Sequence, residues 1–413
     1  MAPCVVIPTF WTGRRSRIGR RVLDVYDHPT LIDGESTLPE CLGSLSRLPG
    51  IDRVVVITAA TDAAIEHEAE DRVREMIADF PQIDALVFGA AEIGSLHRRL
   101  EQLEFADMLP GITLHGYGAV RNVGLITGAV LGCDSVLFVD DDQVIVDSDF
   151  LTRAEEGLGA AVDGKRILAK SGYYVDEQGR HQSLVDPHWS NTFWHLDEAF
   201  NETLAIVDAP PRMRPSPVAF GGCLILHRDV YSAVSFDPWV ARGEDVDYVI
   251  NARMHGGDVF LDGEWRVGHR PPEVPSAALR FRQDVYRFVY EHRKLEFAKS
   301  QVDLRPVTPE SLAPFPGEFV GGSITWRAWA TAWLRGLADS SERKAYRKVR
   351  GALRREVPEY ARRNCDNYFA FQRRWPIMME RIWEDVALQS LFTGERTIDR
   401  SAITGRFPPV RPE

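Results

Sequence analysis

The sequence predicts an α/β protein, with a mostly parallel sheet flanked by helices over residues 1–275 and a mainly α-helical region over residues 276–413. Three observations lead there. Short β-branched runs alternate with helical patterns through the first part of the chain, which is how a parallel sheet is threaded. One of those runs ends in three consecutive acids. After Pro275 the texture changes to long helical patterns with repeated Arg and Trp.

In chain order, Val5 to Pro8 is a β-branched run closed by proline, and Val54 to Thr58 is a second. Between them Leu38, Cys41, Leu42, Leu45 and Leu48 recur at spacings of three and four, which marks one buried helix face. Ala63 to Phe80 reads as a charged helix, Ala85 to Phe88 as a strand, and Ala119 to Leu131 as a helix leading into the strand Ser135 to Val139. Ser171 to Pro217, rich in Trp, His, Pro and Asp without a sustained period, reads as loops with short elements. In the C-terminal region Trp326, Trp329 and Trp333 share one helix face.

Composition narrows the function. Forty-nine Lys and Arg against sixty Asp and Glu give a formal charge of -11, which argues against a general nucleic-acid binder. An acidic protein that handles a phosphorylated ligand must gather positive charge locally or borrow a metal. The five cysteines are widely spaced with no Cys-x-x-Cys pair, so they read as reduced thiols. The N-terminus lacks the pattern of a signal peptide, and no apolar run approaches the roughly 20 residues of a membrane span. A cytoplasmic protein is the expectation.

The chemistry centres on Ser135-Val-Leu-Phe-Val-Asp140-Asp141-Asp142, three carboxylates at the C-terminal end of an apolar strand. Ligands of open parallel sheets bind at that edge. Three adjacent acids repel one another unless a cation neutralises them, and hard oxygen ligands suit Mn2+ or Mg2+. The unusually long connection Phe10 to Thr37 carries Arg14, Arg15, Arg17, Arg20 and Arg21 and then Tyr26, Asp27, His28 and Pro29. It reads either as a mobile basic loop or as a lid bringing cations to a diphosphate.

This strand end resembles the Asp-x-Asp motif of GT-A glycosyltransferases, particularly the family 2 group. Further matches follow in the order that family requires. Val5-Val-Ile-Pro8-Thr9 is similar to its opening strand beside the nucleotide, and Gly118-Ala-Val-Arg121-Asn122-Val-Gly124 resembles its Ala-Arg-Asn-x-Gly helix. Gly221-Gly222 supplies a backbone without β-carbons where a sugar must approach closely. Arg242-Gly243-Glu244-Asp245 resembles the Gly-Glu-Asp element at the start of an acceptor-facing helix. His269 follows at the distance where many relatives carry a last metal ligand.

The resemblance spans about residues 4 to 271 and implies roles. Asp140, with Asp141, would face the nucleotide, and Asp142 and His269 the metal. Pro8, Thr9, Arg121, Asn122, Gly221 and Gly222 would contact the donor, although Arg121 and Asn122 could equally tie their helix to the acidic loop. Asp245 would take the acceptor's proton, and Glu244 would hydrogen-bond the acceptor or sugar. The implied activity is a metal-dependent, non-processive and inverting hexosyltransferase, with UDP-sugar donors favoured over GDP-sugars. Its acceptor would be a small molecule, a glycan or a lipid-linked hydroxyl. The arginine-rich connection is longer than in a minimal relative, and a processive Gln-x-x-Arg-Trp element is not evident.

Three readings compete with this one. They are a sugar-phosphate nucleotidyltransferase, whose Gly-rich first loop Phe10-Trp11-Thr12-Gly13-Arg14 matches poorly, a retaining glycosyltransferase, and a non-catalytic carbohydrate-binding protein. His181, His188 and His195 in the middle segment could bind an acceptor or do nothing chemical. The basic helical stretch with Arg343, Lys344, Arg347, Lys348, Arg350, Arg354 and Arg355 beside the tryptophan stripe allows two partners. One is an anionic membrane surface, and the other is the catalytic domain or a second copy of the chain in a homo-oligomer.

Overall fold

Alternation decides the first layer. Along β1 (Cys4–Thr12), Val5 and Ile7 enter one apolar cluster while Cys4 and Val6 enter another, so the strand is buried on both faces. The computed structural model describes residues 3–13, 26, 29–51, 53–162, 164–182, 185, 187–270 and 276–393. After the short β2 (Thr30–Leu31) come α1 (Leu38–Leu45), β3 (Val54–Ala60), α2 (Glu66–Ala78), β4 (Ala85–Phe88), α3 (Ala90–Gln102) and α4 (Tyr117–Val130). Then follow β5 (Ser135–Phe138), β6 (Gln143–Val144), α5 (Phe150–Glu155), the hairpin of β7 (Ala161–Val162) and β8 (Lys165–Arg166), and β9 (Ala169–Val175). The last strands are β10 (Met213–Pro215), β11 (Leu224–His227) and β12 (Val259–His269), with α6 (Leu196–Leu204), α7 (Arg228–Tyr231) and α8 (Glu244–Met254) between them. The chain continues through α9 (Ala277–Ala298), α10 (Ile324–Ala338), α11 (Arg343–Ala352), α12 (Glu356–Ile382) and α13 (Val386–Phe392).

Among the described residues the sheet has ten strands, in the order β10-β12-β9-β11-β5-β1-β3-β4 with β2 on β1 and β6 on β12. β1, β3, β4 and β5 run parallel, as do β9 and β12, while β11 is antiparallel to both its neighbours. The result is a mixed, mostly parallel sheet flanked by helices. The expected strands and helices before residue 140 are present, with ends shifted by a few residues. β9 lies where loops were expected. Its sequence Ala-Lys-Ser-Gly-Tyr-Tyr-Val hides a central strand because Lys170, fully buried, is neutralised by Asp262 at 3.2 Å.

The helices after residue 276 share the core of the sheet. The boundary expected at 275/276 falls at residues 271–275, outside the described set, and on either side of it one apolar cluster joins Leu137, Ile225 and Trp265 to Phe281, Phe288 and Tyr346. The 27-residue α12 crosses both clusters, placing Val357 to Phe369 in one and Phe371 to Ile382 in the other. All five cysteines are free. No described helix is long and apolar enough to cross a membrane.

Candidate active site

β5 is wholly buried, so the chain can meet solvent only where that strand stops, and the three acids stand there. Asp140, Asp141 and Asp142 are half-buried on the wall of a cleft of about 880 Å³. The Asp140 backbone N–H donates to Gln143 Oε1 at 3.1 Å, which closes the turn. Burial and then the neighbouring Asp142 charge push the Asp141 carboxyl up to about 8. The crowding is therefore only partly compensated by protein groups.

Register brings the distant histidine to this turn. β12 pairs antiparallel with β6, His269 opposite Gln143, and Arg270 N donates to the Asp142 carbonyl at 3.2 Å. The His269 Nε2 to Asp142 Oδ2 distance is 3.3 Å. Among the described residues no three His, Cys, Asp or Glu side chains form a ready metal cage. Asp142 and His269 nevertheless offer a hard oxygen and an imidazole nitrogen at the cleft wall. A divalent ion there would balance the crowded acids and complete its coordination from a ligand.

Arg121 is the hub. It sits in the buried α4, and its guanidinium donates to Glu244 Oε1 at 2.7 Å, to the Gly221 carbonyl at 2.9 Å and to Asp140 Oδ1 at 3.0 Å. Burial alone would lower its pKa, but Asp140 and Glu244 together raise it and the group stays cationic. Burial raises the Asp140 carboxyl, with Arg121 opposing. Asn122 lies away from the cleft: its side-chain amide donates to the Phe236 carbonyl and accepts from the Phe236 N–H, both at 2.9 Å. It ties α4 to the segment before α8 rather than to the acidic loop.

The glycine pair serves the protein's own side chains. A β-carbon at Gly221 would lie 2.4 Å from Arg121 Nη2, and one at Gly222 would lie 2.1 Å from Gln143 Nε2 and 2.6 Å from Asp140 Oδ2. At both glycines the acidic turn and its arginine approach the backbone closely. Gly222 N–H donates to Tyr174 Oη at 2.8 Å, and that hydroxyl reaches Asp140 Oδ2 at 3.4 Å. The Tyr174 ring also packs against His269, with centroids 4.6 Å apart.

Asp245, the second residue of α8, lines the cleft. Its Oδ2 accepts from Gly221 N–H at 3.0 Å and its Oδ1 from Val246 N–H at 2.8 Å. Burial, then the Glu244 charge, raises its pKa, which makes the carboxylate a stronger base once ionised. Gly243 before it is left-handed at φ +64, and a β-carbon there would lie 2.0 Å from Arg287 Nη1 of α9. α9 is anchored to α8 deeper down by Lys294 Nζ, 2.7 Å from Asp247 Oδ1 and 2.8 Å from Asp237 Oδ2, all three side chains fully buried.

Several lining residues carry no motif. Pro8 borders the cleft beside Phe10 and Tyr117, whose rings pack 5.1 Å apart, while Thr9 is buried behind them. Phe10 and Tyr117 directly flank matched motifs, and that adjacency was the available signal. Trp194, Phe200 and Phe281 also line the cleft, with Arg280, Asp284, Arg287 and Arg335 contributed by α9 and α10. His181 lines the cleft, whereas His188 caps a short turn at Ser190 and His195 pairs with Glu318 at 2.6 Å. Arg14, Arg15, Arg17, Arg20, Arg21, Asp27 and His28 lie outside the described residues, while Tyr26 Oη accepts from Gly116 N–H at 2.9 Å. A larger groove of about 1460 Å³ lies at the far sheet edge beside β4, away from the acids.

No protein-family model matches the chain, and no curated protein matches it. Among solved structures it is similar to a mannosyltransferase from Pyrobaculum calidifontis in complex with GDP-mannose and Mn2+, at 13% identity and a TM-score of 0.45 over 96% of this chain and 88% of that one. It is similar to GalNAc-T7 with UDP, GalNAc and Mn2+ at 12% identity and 0.37, over 71% of this chain and 51% of that one. A third is mouse xyloside xylosyltransferase 1, apo form, at 12% identity and 0.28, over 60% of this chain and 74% of that one. These are distant likenesses in overall shape, and the reading of the site rests on the residues themselves.

Proposed function

We propose that this chain is a GT-A-like glycosyltransferase that moves a hexosyl group from a uridine or guanosine diphosphate sugar to an acceptor hydroxyl with inversion. The observation that carries the reading is convergence. Asp140, Asp141, Asp142, Arg121, Glu244, Asp245 and His269 come from four separate segments and all line one cleft. Structural ion pairs alone would not require a strand end, a helix start and the last residue of β12 to meet around an opening.

In this reading Asp142 and His269 would hold Mn2+ or Mg2+, which supplies charge neutralisation for the departing diphosphate. Pro8, Phe10 and Tyr117 offer apolar surface to the nucleobase, and Asp140 and Asp141 face the ribose and phosphates. Arg121 stands on the cleft wall toward the donor and holds Asp140 and Glu244 in place. Asp245 takes the acceptor proton as the acceptor oxygen bonds to the anomeric carbon. The bond from that carbon to the phosphate oxygen breaks, and its electrons leave with the nucleoside diphosphate.

A panel of nucleotide sugars with Mn2+ or Mg2+ tests this by thermal shift, because a ligand of the folded state must raise Tm. Asp142→Ala should abolish metal-dependent stabilisation and transfer while remaining folded. Asp245→Asn should keep the donor shift and lose about 10²- to 10⁴-fold in turnover. Metal-dependent transfer that survives Asp142→Ala overturns the assignment. Release of pyrophosphate instead of nucleoside diphosphate would favour a nucleotidyltransferase, and donor binding without turnover a carbohydrate-binding protein.

A further inference from the structure

α10 buries one face through Ile324, Arg327, Ala328, Thr331 and Ala332 and leaves the other bare. On that bare face Trp326, Trp329, Trp333 and Leu337 are 58%, 42%, 46% and 52% exposed. Single exposed apolar residues are ordinary, but four on successive turns of one helix form a patch that water wets poorly. α11 packs beside it, inward through Tyr346, Val349 and Ala352. Its outward residues Arg343, Lys344, Arg347 and Lys348, with Arg354 and Arg355 just beyond, are all cationic and exposed. Arg350 joins the two features by lying over the Trp329 ring at 5.5 Å. The acid at the start of α11, Glu342, is turned inward onto Ala278 N–H at 2.9 Å, so it does not offset this charge.

From this juxtaposition we infer that α10 and α11 form a docking surface for an anionic lipid bilayer. Tryptophan is suited to the water–lipid boundary because its ring is apolar and its N–H stays polar. Lysines and arginines beside it are drawn to acidic headgroups, and a chain whose net charge is -11 approaches such a surface only through a local cationic face. A second copy of the chain is a poor occupant, because a two-fold interface here would oppose the same cations.

Vesicle flotation of the full chain tests this without reference to transfer activity. Binding to phosphatidylcholine vesicles containing phosphatidylserine, weak binding to phosphatidylcholine alone, loss at high salt and a blue-shifted tryptophan emission are expected. The pair Arg347→Gln and Lys348→Gln should lower the partition coefficient about thirtyfold, from about 1 kcal/mol per cation near the surface. The triple change of Trp326, Trp329 and Trp333 to Ser should abolish the emission shift while Tm stays unchanged. Failure to float with anionic vesicles overturns the inference. So does flotation that neither variant weakens, a concentration-dependent dimer lost in the tryptophan variant, or the same surface retaining RNA or an acidic protein but no vesicles.

Discussion

Arg121 shows how much a single side chain decides here. Its three hydrogen bonds join the acidic turn, the glycine pair and the start of α8, so it sets the distance between the proposed donor and acceptor halves of the cleft. Arg121→Met leaves two acids facing each other with no cation, and loss of one partner of a buried pair costs about 3–5 kcal/mol. Denaturant unfolding should register that loss. Arg121→Lys restores the charge but not the planar fork, so it should recover much of the stability and little of any turnover. The sequence announced Arg121 through its motif but not its partners, because Glu244 is 123 positions away and nothing local records which acid a buried arginine meets. Asn122 and the glycines were legible as a motif and not as roles, since the same atoms could have faced a ligand or the protein.

Among elements, the junction of α8 with α9 carries the most consequence. Gly243 adopts a left-handed conformation directly beneath the Arg287 guanidinium, and α8 starts from it with Glu244 and Asp245. An added methyl at 243 meets backbone strain of about 1–2 kcal/mol and a clash with Arg287. Gly243→Ala should therefore lower stability and displace Asp245, whereas in the double variant with Arg287→Met the methyl gains room. The combined loss measured by unfolding should fall short of the sum of the singles by at least about 0.5 kcal/mol. Periodicity found α1 because Leu38, Cys41, Leu42 and Leu45 form one buried face. It missed β9 because a buried lysine paired to Asp262 breaks the expected pattern.

For the whole molecule, the C-terminal helices complete the body built on the sheet. α9 brings a second layer of buried charge: Arg287 Nε reaches Glu291 Oε1 at 2.9 Å, while Glu291 Oε2 and Arg287 Nη2 are buried without a hydrogen bond among the described residues. Burial pushes the Glu291 carboxyl up to about 7, with Arg287 opposing. A carboxyl whose folded pKa lies above its unfolded value binds more protons when folded. Its contribution is full below about pH 4.5 and is lost as pH rises through 7, by up to about 1.4 kcal/mol per pH unit. Glu291→Gln removes that proton, so the stability of the native chain relative to this variant should fall between pH 5 and pH 7. Parallel denaturant titrations of the two proteins measure it. An equal pH dependence in both would remove Glu291 from the account.

By itself the sequence determined the alternation that makes an α/β sheet, the acids at the end of its apolar strand and the order of the motifs. These are local properties, written in hydrophobic period and in residues a few positions apart. Tertiary structure alone decided that His269 lies opposite Gln143, that Arg121 meets Glu244, and that α9 supplies the wall beneath Asp245. Those facts depend on strand register and on which distant helices share a core. They follow from the packing of the whole chain, because burial is a property of neighbours that sequence distance does not measure.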